Sequence, residues 1–191
     1  MFDLTQLSPE LADTWHVWLV TVLLVVAAVI DGVQLKVPNW LTFPMIVSGW
    51  VYSATLAGVG PWEGLAWSLV GTAVGLGLLL PLYAIGGMGA GGVELLAGVG
   101  AWMWPETTCY AFVATALVGG VIALGMVAYK RSWTKHKNQF WGILNEIATV
   151  GDPEKLAQIA AERKPRMFLL PYGIPMAIGT IAYFAWHGMR V

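Results

Sequence analysis

A chain of 191 residues with 58% hydrophobic and 11% charged residues is not a soluble domain, which carries roughly a quarter charged residues. The mean hydropathy of +0.69 points to an all-α integral membrane protein. The net charge of −1 carries no message about partners, and no nucleic-acid partner is expected. The lone Cys109 excludes an intrachain disulfide and, inside an apolar run, reads as a small buried hydrophobe. His16, His136 and His187 are scattered without metal-ligand spacing, so neither a metal nor a cofactor is expected.

About 20 apolar residues cross a bilayer, and the chain offers about six runs of that kind. The first spans Trp15 to Ile30; no basic n-region precedes it, so it reads as a retained helix rather than a signal peptide. The second, Trp40 to Ala57, carries Pro44, and the third is Leu65 to Ile85. The fourth, Val93 to Trp104, is short, and the fifth runs from Thr107 to Tyr129. The last, Phe168 to Trp186, carries Pro171 and Pro175. Prolines are tolerated in such helices where neighbours satisfy the freed carbonyls. Gly71 and Gly75 form a small-residue pair suited to close helix packing. Seven tryptophans, Trp15, Trp18, Trp40, Trp62, Trp102, Trp104 and Trp186, fall near expected helix ends and read as an interfacial belt.

Of the ten Lys and Arg, eight lie between Lys130 and Arg166. The bias of basic residues places that loop in the cytoplasm. Threading back puts the N-terminus outside, and the 31–39 and 86–92 loops inside. The segment 130–167 reads as a cytoplasmic amphipathic piece, with Phe140, Trp141, Leu144 and Ile147 at helical spacing and Asp152-Pro153 opening a second short helix. Its basic residues suit anionic lipid or a docking partner. No boundary divides the chain, and residues 1–191 are read as one membrane domain.

Acidic residues beside apolar runs are expensive and need a reason. Two stand out. Asp31 ends the first run and Glu94 begins the fourth, both at the cytoplasmic end of the threading. Two carboxyls from different helices at one depth can divide the roles of acid and base. Each also has a structural reading: Asp31 as a helix end or a partner of Lys36, Glu94 as a favourable charge at a helix N-terminus. A small transporter, by contrast, needs mid-membrane polar groups that stretches such as Val70 to Leu80 lack.

Three ordered motifs carry a resemblance. Gly89-Ala90-Gly91-Gly92 resembles the G-x-G-D signature of membrane-embedded aspartyl proteases, with glycine in the fourth position. Asp31 to Thr42, with Val37-Pro38-Asn39-Trp40-Leu41-Thr42, is similar to the first signature of type IV prepilin peptidases. Gly86 to Trp102 is similar to their second, G-G-x-G-x-G-D-x-K-L-x-A-x-x-G-x-W, and Pro171 to Thr180 to the P-Y/F-G-x-x-x-A-x-G motif of their last helix. The match is to the short, peptidase-only form of tight-adherence (Flp-type) pilus systems. The resemblance implies an aspartic endopeptidase in the bacterial inner membrane. It would cut the leader of a prepilin at the cytoplasmic face, just before the pilin's hydrophobic helix. It also implies contact with pilus assembly proteins. Asp31 matches the first catalytic aspartate. The second falls at Gly92, where no carboxyl is present, and the family's Lys at the next-but-one position is Glu94. Gly89, Gly91, Pro38 and Asn39 match the site loops. Two residues along a helix turn a side chain by about 200°, so Glu94 substitutes for the missing aspartate only if the loop is extended there. The alternative is an inactive relative that binds prepilin or the secretion machinery without cutting.

Overall fold

A computed structural model describes residues 4–84, 87–129 and 171–191. Among these residues every regular element is a helix: α1 (Leu4–Gln34), α2 (Asn39–Thr55), α3 (Pro61–Ala84), α4 (Ala90–Tyr129) and α5 (Gly173–Trp186). The expected helices in 130–167 lie outside the described residues.

The local sequence explains where each helix starts and stops. α1 ends because Leu35 turns left-handed at φ 52°, its N–H returning to the Asp31 carbonyl at 2.8 Å. Pro38, extended at φ −79° and ψ 144°, opens α2, as the ring's fixed φ favours. Pro61 occupies the first position of α3 and Glu63 its first turn, where a missing N–H is harmless and a negative charge meets the helix dipole.

The fourth and fifth runs are two helices, carried here under one label, α4, and separated by a break at Trp104, which adopts φ 61° and ψ 176°. The break reverses the chain. Before it, Thr42, Met45 and Gly49 of α2 meet Glu94, Gly98 and Ala101 in that order, so α4 leaves alongside α2. Beyond it, Thr115 sits against Gly179 and Gly119 against Pro175, so the second limb runs back antiparallel to α5. The boundary comes from Pro105: a proline cannot donate to the carbonyl four residues earlier. That carbonyl belongs to Ala101, and it accepts instead from the Ser68 hydroxyl at 2.5 Å and the Ser53 hydroxyl at 3.3 Å. The last helix begins at Gly173, five residues later than expected, and α1 begins before Trp15.

Three stretches are long and apolar enough to span a membrane: Thr14–Gln34, Pro61–Ala84 and Ala90–Met126, the last containing the reversal. α2, with 17 residues, and α5, with 14, are shorter. One hydrophobic cluster draws on all five helices, from Val17 and Leu24 through Met45, Leu79 and Leu96 to Phe184. α3 and α4 approach through glycine. A Cβ at Gly71 would strike the Gly100 carbonyl, and one at Gly75 would lie 2.5 Å from the Leu96 carbonyl oxygen.

Two expectations about side chains are corrected. Cys109 is exposed, not buried, because in a membrane protein an apolar helix face can look outward. Trp102 leaves the belt: it is buried, stacks on Tyr52 at 4.9 Å, and donates its indole N–H to the Met45 carbonyl at 2.9 Å. Trp15, Trp18, Trp40, Trp62 and Trp186 are exposed.

Candidate active site

Helix directions gather three connecting segments at one end of the bundle. A pocket of about 300 Å³ opens there, lined by Asp31 and the loop after α1, by Gly89 to Gly92 at the start of α4, and by Tyr172 ahead of α5. The 31–39 loop and residues 89–92 thus lie side by side.

Asp31 is buried. Its Oδ2 accepts the backbone N–H of Gly173 at 2.7 Å. This bond orients the carboxyl from the far end of the sequence. Gly173 must be glycine for it: a Cβ there would lie 2.9 Å from the Asp31 Cβ and 3.0 Å from Oδ2. The structure therefore pairs Asp31 with a backbone amide of α5. A carboxylate so held keeps lone pairs for a second partner, such as water, in the pocket.

The two signature loops touch through backbone. A Cβ on Gly91 would lie 2.5 Å from the Val37 carbonyl oxygen. Pro38 extends the chain into α2, and Asn39 lines the pocket beside Lys36. At Gly89 a Cβ would find open space.

Gly92 lines the same pocket as Asp31. A Cβ there would lie 2.5 Å from the Met88 Cε and 3.5 Å from the Tyr172 Cβ. The first is the end of a flexible side chain and the second an ordinary contact. Glu94 is not among the residues that line this pocket. α4 is already helical from Ala90, and the Glu94 Oε2 accepts the hydroxyl of the buried Thr42 at 2.6 Å. Its carboxyl ties the first turns of α2 and α4 together. Asp31 and Gly92 are thus brought together, while Glu94 faces a neighbouring helix.

Three contributors carried no chemical signal in the sequence: Gly173 as donor, Tyr172 as a wall, and Thr42 as the partner of Glu94. Resemblance alone marked them, the first two through the Pro171-Tyr172-Gly173 motif and Thr42 as the last residue of the Asp31 to Thr42 signature.

The family model described as the type IV leader peptidase family matches residues 18–124. That is more than half of the chain, and it contains Asp31, the Pro38-Asn39 loop and the whole glycine-rich segment. The chain belongs to the type IV leader peptidase family. It is similar to the prepilin leader peptidase/N-methyltransferase of Aeromonas salmonicida (strain A449), 28% identical over 116 residues that cover 57% of this chain and 38% of the relative. The corresponding protein of Aeromonas hydrophila is also 28% identical over 116 residues, 39% of its length. The chain thus matches under two-fifths of the length of these curated relatives. No solved structure matches it significantly. Membership and the apolar helices point to an inner-membrane protein.

Proposed function

We propose that this chain acts on prepilins at the cytoplasmic membrane face, with Asp31 as the group that moves the proton in leader cleavage. The observation that carries this reading is the buried Asp31 carboxyl, fixed by the Gly173 N–H and facing a pocket shared with the glycine-rich loop. As a carboxylate, Asp31 takes a proton from water. The water oxygen attacks the scissile carbonyl carbon, and the displaced electron pair rests on the carbonyl oxygen. Asp31 then returns the proton to the amide nitrogen, the C–N bond breaks, and a carboxylic acid and an amine leave. A second group is needed to steady the oxyanion. At Gly92 there is none; Glu94 would serve only after leaving Thr42.

The vacancy of a carboxyl at Gly92 favours a second reading: a relative that binds prepilin, or the pilus assembly machinery, and does not cut. Losing one of two cooperating catalytic groups removes most of the rate.

Leader cleavage of a co-expressed prepilin, followed as a gel mobility shift, decides between them. Cleavage by the native chain that is lost in both Asp31→Ala and Glu94→Gln supports the first reading with Glu94 recruited. No cleavage by the native chain, but cleavage by Gly92→Asp, supports the second, because the pocket then needs only its missing carboxyl. No cleavage by either would overturn the first reading and show that more than the carboxyl at position 92 is missing for cleavage.

A further inference from the structure

Three side chains that line the Asp31 pocket can donate a hydrogen bond: Lys36, Asn39 and Tyr172. Of these, Lys36 carries a full charge. It is exposed, and among the described residues no ion pair holds it. Its backbone, by contrast, is pinned on both sides. Leu35 turns left-handed at φ 52° and sends its N–H back to the Asp31 carbonyl at 2.8 Å, so the chain bends at the helix end that carries Asp31. Val37 is buried, and its carbonyl lies against Gly91. Lys36 therefore sits between the end of α1 and the glycine-rich segment, and its flexible stem lets the ammonium move within the pocket.

We propose that Lys36 is the second catalytic group of this chain: its ammonium steadies the oxyanion that forms when water, deprotonated by Asp31, attacks the scissile carbonyl. The inference rests on the cleavage reading above. Among the residues lining the pocket, Asp31 is the carboxylate and Lys36 the cation, and that division assigns the roles. An ammonium has no lone pair to take a proton from water, so the base is Asp31. A carboxylate repels an oxyanion, so the stabiliser is Lys36.

The ammonium donates a hydrogen bond to the carbonyl oxygen as the electron pair of the C=O bond moves onto it. It keeps its proton throughout. Asp31 alone carries the water proton to the amide nitrogen as the C–N bond breaks, so atoms and charges balance. A carboxyl at position 92 would donate in this way only when protonated, whereas an ammonium is a donor by constitution. Asn39 and Tyr172 offer neutral donors, and a hydrogen bond from a charged donor is roughly twice as strong. Glu94 is engaged by Thr42 at 2.6 Å and leaves the ammonium unpaired.

The test is steady-state cleavage of a full-length prepilin by the purified full chain in detergent. Lys36→Gln is expected to lower kcat by about 100-fold or more, the loss typical of one oxyanion donor, while KM changes by less than about threefold. Lys36→Cys in a Cys109→Ala background, which removes the exposed native thiol, separates charge from structure. It should be as slow as Lys36→Gln and recover at least about tenfold once bromoethylamine rebuilds an ammonium on the thiol. Treatment with iodoacetamide, which adds a neutral amide, should leave it slow. A rise in KM at unchanged kcat would make Lys36 a substrate-binding residue and overturn the proposal. A larger kcat loss in Tyr172→Phe or Asn39→Ala would pass the oxyanion to that donor and overturn it. Full activity in Lys36→Gln, with loss in Glu94→Gln, would pass it to Glu94. Each of these three results leaves the cleavage reading standing. No cleavage by the native chain, but cleavage by Gly92→Asp, would show that an ammonium does not replace the missing carboxyl; it overturns the proposal and favours the non-cutting relative. No cleavage by either would overturn the proposal and the cleavage reading together.

Discussion

At the scale of single residues the site is governed by what lies beside Asp31. Gly173 donates its N–H and has no room for a side chain: even one methyl group would press on the carboxyl it orients. We predict that Gly173→Ala displaces Asp31 and lowers leader cleavage at least tenfold, since a misplacement of about 1 Å costs that much or more. The measurement is the gel-shift assay at matched protein level, run in the Gly92→Asp background if the native chain does not cut. Unchanged cleavage would mean that the amide bond does not position the base. Position 92 behaves oppositely. Among the described residues the atom that crowds it is the methyl end of Met88, and methionine adapts to new volume at little cost. Gly92→Asp should therefore fold, with a loss of stability of about 1–3 kcal/mol by thermal unfolding in detergent. Asp31 was legible in the sequence because a carboxyl at the end of an apolar run demands a reason. Gly173 was not, because a backbone donor leaves no mark in side-chain chemistry.

At the scale of elements, the Trp104 break decides the architecture. The sequence shows two apolar runs separated by Pro105, and that much predicts an interruption. What it could not show is how the orphaned Ala101 carbonyl is satisfied, because Ser53 and Ser68 lie on two other helices. Both serines are buried. Either alone can serve the carbonyl, so Ser68→Ala should cost less than about 1 kcal/mol. Ser53→Ala with Ser68→Ala leaves it bare, and also removes the acceptor of the Trp104 indole N–H at 3.2 Å. The pair should cost about 1–3 kcal/mol, more than the sum of the single changes, because the two hydroxyls share one acceptor. Denaturant unfolding of the four variants in detergent measures this. Strict additivity would show that the serines do not act as alternates. The misreading of Trp102 and Cys109 has one cause. Hydrophobicity in a membrane chain says that a residue avoids water, and leaves open whether it meets protein or lipid.

At the scale of the whole molecule, the directions of the helices make one end of the bundle chemically distinct. The loop after α1, the start of α4 and the approach to α5 meet there, while the 56–60 turn between α2 and α3 and the Trp104 break lie at the other end. We propose that the site end faces the cytoplasm, because the loop holding eight of the ten Lys and Arg joins the second limb of α4 to the approach to α5. That assignment is testable with cysteine chemistry in intact cells, after Cys109→Ala removes the exposed native thiol. Glu63→Cys, at the start of α3, should react with a membrane-impermeant maleimide from outside. Lys36→Cys, in the pocket loop, should react only once the membrane is permeabilised. The two positions sit at opposite ends of α2 and its flanking turns, so a correct topology must give opposite answers. The reverse pattern would turn the chain over and bring Asp31 to the outer face. A prepilin leader is cut before export in the proposed reaction, so that outcome would remove the substrate from the pocket and defeat the peptidase reading, whatever the residue at position 92.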